Sequence, residues 1–391
     1  MLPLLESLNL LLDGHRGCLR DWYCIYVQHL LRSNIDCTDF LVGMGLERNN
    51  IVIIGKGYST NSKVLTEYIE NGFKALDVDK GYTYLEAFDA QICRNIVKEL
   101  HAIAERGFKQ LLVIDEGGLG IQALAAVLPS CFSRIAVAEL TARGAHQYHL
   151  LSNHYPIVDV ARSKNKKEIE AAFIAQSMVS CLVQLLTASF NADITKLRFG
   201  VIGAGAIGSS IIIELRRLGL NIVSWYDEAS ERSDRESVQE VVAGADIILS
   251  STGKGFDWEP VLREVNRRII FANCGSSDIE YRLWQLRARL AKHGYEFITD
   301  VSGYPWRGNT ILRRKQSECI FLRGGFPVNF DGSADPIPPE IIQITRATLM
   351  AGAITAVMTE KPGIIEVPED LQQYLARDFD SVLYNNVWKT S

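Results

Sequence analysis

Phe199-Gly200-Val201-Ile202-Gly203-Ala204-Gly205-Ala206-Ile207-Gly208 reads as a strand running into a glycine turn and then a helix. Gly203 makes the tight turn, Gly205 admits a pyrophosphate to the backbone, and Gly208 lets the helix pack on its strand. Ala206 and Ile207 open that helix, whose unpaired amides and positive dipole end suit phosphate. A second strand, Asn221–Tyr226, ends at Asp227. That is roughly 20 residues beyond the last glycine, where an acid accepts adenosine ribose hydroxyls and disfavours a 2′-phosphate. The stretch therefore predicts a Rossmann unit with NAD as its cofactor.

Two further strand ends fit the nicotinamide half of such a site. Ile247–Ser250 opens onto Ser251-Thr252-Gly253, and Ile269–Ala272 opens onto Asn273-Cys274-Gly275. Gly55-Lys56-Gly57 and Gly253-Lys254-Gly255 lack the spacing of a phosphate-binding ATPase loop, which excludes that class. Earlier strands are expected at Ile51–Ile54, Leu111–Asp115, Ile135–Glu139 and Ile157–Val160, and a later one at Glu296–Thr299. Between the first two, Leu85, Phe88, Ile92, Ile96, Leu100 and Ile103 recur at helical spacing. Apolar strands alternating with helices imply an α/β fold of two doubly wound domains with mostly parallel sheets. The expected division is a substrate domain over residues 1–190, completed by 340–391, and an NAD-binding domain over 191–339. The break Asn191–Lys196 marks the first boundary, and Asp335-Pro336-Ile337-Pro338-Pro339 precedes a returning apolar helix, Glu340–Met358.

A length of 391 residues suits two globular units, and 47% hydrophobic with 22% charged residues excludes a wholly disordered chain. The net charge of −5 gives no electrostatic case for nucleic acid or an anionic membrane as the main partner. No apolar run in the sequence reads as a membrane span, and the leucine-rich N-terminus, interrupted by Glu6 and Asp13, reads as a helix rather than a leader. The eight cysteines form no CxxC pair and are expected to be reduced, in a cytoplasmic protein. His146 and His149 stand three apart without companions, so no metal site is expected.

The N-terminal half carries four polar clusters at strand ends: Gly55–Thr60, Asp115-Glu116-Gly117-Gly118, Glu139–Gly144 and Asp159–Lys164. Taken singly, each is ordinary turn chemistry, with Ser59 or Thr60 capping a helix and the paired glycines turning the chain. Taken in order, they would bring carboxylates, hydroxyls and a lysine to one crevice for a small-molecule substrate.

This order of motifs resembles the S-adenosylhomocysteine hydrolases. The matching elements are Ser59-Thr60, the acid-Gly-Gly of Glu116-Gly117-Gly118, Glu139-Leu140-Thr141-Ala142-Arg143-Gly144, Gly203–Gly208, Ser251-Thr252-Gly253, Asn273-Cys274-Gly275, Val328-Asn329 and Asp335-Pro336. Departures accompany the matches. Ser276 follows Asn273-Cys274-Gly275 where the family has histidine, Ala334-Asp335-Pro336 replaces glycine-histidine-proline, and the lysine–tyrosine tail is missing. The family's early histidine segment is also missing, although His15 and His29 could stand nearby.

The resemblance implies NAD-driven transient oxidation of a sugar hydroxyl in a nucleoside or thioether nucleoside. On that footing Lys164 would polarise or deprotonate the hydroxyl. Glu116 and Glu139, with Asp115 beside them, would bond the diol or act as base, while Ser59, Thr60 and Thr141 orient the substrate. Two other readings stay open: a net NAD-dependent dehydrogenase, and a non-catalytic NAD-binding regulator. A homo-oligomer, dimer or tetramer, is implied by the family, with the apolar helix Glu340–Met358 as a source of interface.

Overall fold

The computed structural model describes residues 1–77, 81–127, 131–301 and 303–388. In chain order the strands are β1 (Trp22–Val27), β2 (Ile51–Ile54), β3 (Lys74–Leu76), β4 (Gln110–Asp115), β5 (Arg134–Glu139), β6 (Pro156–Asp159) and β7 (Arg198–Ile202). Then follow β8 (Asn221–Tyr226), β9 (Ile247–Ser250), β10 (Arg268–Asn273), β11 (Glu296–Thr299), β12 (Thr310–Arg314), β13 (Ser317–Phe321) and β14 (Gly363–Glu366). They form two seven-stranded sheets, ordered β14-β6-β5-β4-β1-β2-β3 and β11-β12-β13-β10-β9-β7-β8. All pairs in the first sheet are parallel. The second is parallel from β13 to β8 and ends in the antiparallel ribbon β11-β12-β13. The two-domain Rossmann-type α/β class stands.

The division of the chain differs from the expected one. One compact unit comprises residues 1–78, 91–170 and 332–391; the other comprises 79–90 and 171–331. The helix Ala171–Phe190 therefore belongs to the second unit, not the first. Its Ala175, Met178, Val179, Leu182 and Leu186 enter the same core as Phe199, Val201 and Ile211. The break at residues 191–196 marks the end of a helix rather than a domain boundary. Leu85, counted as the start of a helical stripe, lies outside the helix Phe88–Glu105 and is exposed.

In the first unit the helix Pro339–Met358 starts with proline at its first turn and is apolar nearly all round. It packs against the helices Pro3–Leu11, Arg32–Gly43 and Glu369–Trp388 and against β5 and β6. Ala347, Leu349, Met350, Ala353 and Ile354 are core residues, so the face expected to supply an oligomer interface is used inside the fold. This helix and Lys166–Phe190 are both long and apolar enough to cross a bilayer, which the sequence reading did not anticipate. In the Pro339–Met358 helix, 83% of the apolar window is buried within the protein. Of the C-terminal tail, residues 389–391 and the side chains of Tyr384 and Trp388 lie outside what is described.

Leu182→Ala tests the boundary. Loss of a fully buried leucine should cost about 2–5 kcal/mol. Hydrogen exchange should then accelerate in β7–β10 while β1, β4 and β5 keep their protection. Acceleration confined to the first sheet would return the helix Ala171–Phe190 to that unit.

Candidate functional site

In each sheet the chain winds outward in both directions from one central strand pair, and a crevice opens at the carboxyl ends of such a pair. In the first sheet that pair is β1 and β4, flanked by β2 and β5. Residues at these four adjacent strand ends make one buried cluster. His29 follows β1, Lys56 and Ser59 follow β2, Glu116 follows β4, and Glu139 closes β5.

The centre of the cluster is His29, whose Nε2 lies 2.6 Å from Glu116 Oε1 and whose Nδ1 lies 2.5 Å from Ser59 Oγ. Lys56 Nζ donates to the Glu116 carbonyl at 2.8 Å and stands 3.5 Å from Glu116 Oε1. From the helix Pro339–Met358, Arg346 reaches in, with Nε 3.3 Å from Ser33 Oγ and Nη1 3.5 Å from Gln28 Oε1. All of these side chains are buried. Among the described residues, Glu116 Oε2 and Gln28 Nε2 find no hydrogen-bond partner.

Burial alone would raise the Glu116 pKa, but His29, Lys56 and Arg346 outweigh it and hold the carboxyl well below the usual range. Burial lowers the His29 pKa, against the pull of Glu116. Neutral His29 must therefore place its proton on Nε2, facing the carboxylate, and leave Nδ1 to Ser59. In that state Ser59 donates to Nδ1. When His29 takes a second proton at Nδ1, the Ser59 hydroxyl can instead donate to the Lys56 carbonyl, 2.9 Å away.

The other expected residues hold this arrangement in place. Glu139 accepts from Gly117 N (3.1 Å), Gly118 N (2.9 Å), Thr141 N (2.6 Å) and Thr141 Oγ1 (2.6 Å). Thr141 Oγ1 in turn accepts from Gly144 N at 3.0 Å, capping the turn Ala142–Ala145. A Cβ on Gly144 would stand 2.0 Å from the Glu139 carboxyl carbon, so only glycine fits there. Asp115 accepts from Glu116 N and from Ile121 N, both at 2.9 Å, anchoring the helix Leu119–Val127. Half-buried Thr60 bonds the Lys56 carbonyl at 3.3 Å and Asp77 at 3.4 Å.

Lys164 is not brought to the cluster. Its ammonium is exposed and paired with Glu369 at 2.7 Å, an arrangement that raises its pKa and leaves nothing to make it a base. The lysine inside the cluster is Lys56, and the histidine is His29. Both stand at strand ends, but β1 itself was not expected, and within the cluster Gly55–Thr60 the site roles were given to Ser59 and Thr60 rather than to Lys56.

In the second sheet the central pair is β7 and β9. Gly203 has φ +89°, and a Cβ there would meet the Ser251 backbone at 2.8 Å. A Cβ on Gly208 would fall 1.7 Å from the Gly203 carbonyl oxygen. Gly205 has open space within 4 Å of the corresponding position, next to the first turn of the helix Ala206–Arg217. That open cradle at a helix start is the feature a pyrophosphate requires, so the residues present fit a dinucleotide. Asp227 holds Ala204 N at 2.7 Å. Sequence reasoning missed Glu280, which accepts from Ser250 Oγ, Thr252 N, Thr252 Oγ1 and Gly253 N at 2.6–3.0 Å. Ser251 Oγ donates to the Gly203 carbonyl at 3.1 Å. Asn273 Nδ2 donates to the carbonyls of Ser277 and Gly325, both at 2.7 Å, and its Oδ1 accepts from Gly275 N. Thr252 and Asn273 therefore shape the loops with their side chains.

No protein-family model matches the chain. Two uncharacterized proteins of Mycobacterium tuberculosis, from strains CDC 1551 / Oshkosh and ATCC 25618 / H37Rv, are each 26% identical over 360 residues. The match covers 90% of this chain and 66% of theirs, so the chain spans just under two thirds of their length. Among solved structures, an NAD-complexed D-isomer specific 2-hydroxyacid dehydrogenase from Lactobacillus delbrueckii ssp. bulgaricus is 14% identical. It covers 71% of this chain and 95% of its own, with a TM-score of 0.36. The NAD+-bound 3-phosphoglycerate dehydrogenase of Entamoeba histolytica is 10% identical, covering 86% and 94%, with a TM-score of 0.39. A 2-hydroxyacid dehydrogenase from Ketogulonicigenium vulgare Y25 is 11% identical, covering 80% and 95%, with a TM-score of 0.38. None of these scores reaches 0.5, and none of these proteins is described as an S-adenosylhomocysteine hydrolase.

Burial and the neighbouring Asp115 push the Glu139 carboxyl up to about 8, against the pull of its donors. A carboxyl raised on folding contributes stability that is full below the ordinary glutamate pKa and is lost as pH rises through about 8. Glu139→Gln should remove that dependence. It should also cost about 1–3 kcal/mol, because an amide NH₂ would face a backbone N–H. Denaturant titrations of both proteins from pH 5 to 9 check this, and identical pH profiles would contradict it.

Proposed function

We propose that the protein is an NAD-dependent dehydrogenase of a small hydroxyl-bearing substrate. The observation that carries this reading is His29, held between Ser59 and Glu116 at the central strand pair of the first unit. When bound, the dinucleotide supplies a hydride acceptor; the glycine turn of residues 203–208 would hold its pyrophosphate, and Asp227 stands at the adenosine end. The chain itself must position the hydroxyl and receive its proton. A substrate hydroxyl donating to Glu116 Oε2 and accepting from Gln28 Nε2 would satisfy both unpartnered atoms, each costly to leave buried and unpaired. For the reaction the hydroxyl turns its proton from Glu116 to Ser59 Oγ, Ser59 passes its own proton to His29 Nδ1, and Glu116 stabilises the imidazolium that forms. Lys56 and Arg346 keep Glu116 ionised for that role.

One observation favours a second reading, the transient oxidation of a nucleoside sugar hydroxyl in the manner of the S-adenosylhomocysteine hydrolases. His29, one of the two histidines that could stand for the family's missing early histidine, lies beside the Glu116-Gly117-Gly118 motif. The two readings differ in the fate of the hydride.

The test is absorbance at about 340 nm on protein supplied with NAD and a panel of nucleosides, sugars and small hydroxy acids. A rise that continues with turnover supports the dehydrogenase. A rise that stops at one equivalent and stays on the protein supports the transient oxidation. No rise with bound NAD would favour a regulator. His29→Gln should abolish the rise while leaving dinucleotide binding unchanged, and Ser59→Ala should slow it about 10²-fold. Activity should persist to acid pH and fall only below the ordinary imidazole value of 6.5, because burial lowers the His29 pKa. A midpoint above that value would argue against His29 as the base.

A further inference from the structure

An acid at the end of the second Rossmann strand ordinarily accepts the adenosine 2′-hydroxyl and repels a 2′-phosphate. Here both carboxylate oxygens of Asp227 already have partners in the protein. Oδ2 accepts from Ala204 N at 2.7 Å, and Oδ1 accepts from Ala229 N at 2.9 Å. The guanidinium of Arg232 lies 3.0 Å from Oδ1. Asp227 is thereby tied to the glycine turn, and its charge is matched within the same loop.

The loop that carries Arg232 is itself anchored. Trp225 Nε1 donates to the Arg232 carbonyl at 2.9 Å, and the amides of Asp234 and Arg235 donate back to the Trp225 carbonyl at 3.1 and 3.2 Å. Ser233 Oγ accepts from Asp227 N at 3.1 Å. The arginine therefore projects from a fixed turn, with its side chain 51% exposed while that of Asp227 is 11% exposed. Nearby, Glu228 is paired with Lys254 at 2.5 Å, and Asp234 lies 3.9 Å from Arg235. Glu231 and Glu236 are the remaining acids of the loop, both exposed.

The geometry points to Arg232 as the residue that sets cofactor choice. It cancels the repulsion from Asp227 and offers its remaining N–H groups to a 2′-phosphate, so that the site accepts NADP as well as NAD. Arginine suits this role because its planar fork can serve a carboxylate and a phosphate together. The inference rests on the dinucleotide reading of the second unit and narrows it. It also departs from the expectation that Asp227 disfavours the phosphate.

Binding of NADH and NADPH, followed by nicotinamide fluorescence without any substrate, tests it on the full chain. The wild-type protein should bind the two within about tenfold of each other, and NADPH binding should weaken more steeply with salt. Arg232→Ala should weaken NADPH about tenfold or more and leave NADH within about threefold, the NADH value serving as the control for folding. Wild-type binding of NADH with NADPH more than about 100-fold weaker would overturn the inference and leave the dinucleotide reading intact. An Arg232→Ala protein that loses both cofactors equally would do the same. Failure of the wild-type protein to bind either would overturn the dinucleotide reading and the inference with it.

Discussion

A buried carboxylate that gathers the turn of a neighbouring strand is the interaction on which both sites depend. Glu139 collects two amides from Gly117-Gly118 and two donors from Thr141. Glu280 collects the Ser250 and Thr252 hydroxyls and the amides of Thr252 and Gly253. Backbone amides at strand ends have lost their ladder partners and need an acceptor wherever water is excluded. The two oxygens of one carboxyl group can serve amides that diverge. The glycines follow from this. A Cβ on Gly144 would overlap the Glu139 carboxylate, and one on Gly275 would come within 2.3 Å of Glu280 Oε1. In each sheet the acid fixes the loops first, and the groups with chemistry to perform stand on those loops.

This explains how much of the site could be read from the sequence. Glu139, Thr141, Gly117 and Gly118 were noticed because turn-gathering leaves an acid, a hydroxyl and glycines in fixed local order. The same order does not say whether the acid reacts or supports, since that depends on how many donors reach it. Burial separated the two lysines. Lys164 stands in a basic segment that is exposed and paired with Glu369, whereas Lys56 is almost fully buried over Glu116. Arg346 could not have been placed at all, because it comes from a helix more than two hundred residues downstream of Glu116, and only packing brings the two together.

The fold was legible where strands are apolar and bounded by polar turns, as at β2, β8 and β9. It was not read at β1, Trp22-Tyr23-Cys24-Ile25-Tyr26-Val27, although Asp13-Gly14 and Gly17 break the chain between the leucine-rich helix and this strand. With β1 unread, one strand of the central pair was missing, and His29 after it was named without being given a place at a strand end. The hairpin of β12 and β13 also escaped. Its turn places Lys315 at φ +54°, a conformation that glycine or asparagine usually announces. The unit boundary was misplaced because a helix spanning residues 171–190 has no sequence mark for which core it joins; the decision was made by Leu182 and Leu186 packing near β7.

The composition of the first cluster bears on why it is charged at all. Buried ion groups lose hydration that their mutual attraction only partly offsets, and apolar replacements of equal volume often leave a protein as stable or more so. His29, Lys56, Glu116 and Arg346 together are therefore a poor device for stabilising a sheet edge. Glu139 and Asp115, by contrast, satisfy backbone amides that any fold with these turns would have to satisfy. The difference lies in where the unpartnered atoms of this cluster fall: they are on Glu116, which bonds the imidazole that can change its proton count, and on Gln28, and not on the two acids that gather the turns. A group that only supports a loop uses its whole hydrogen-bonding capacity within the protein. A group that keeps an oxygen or an amide in reserve, within reach of a titrating histidine, is arranged to meet something from outside the chain.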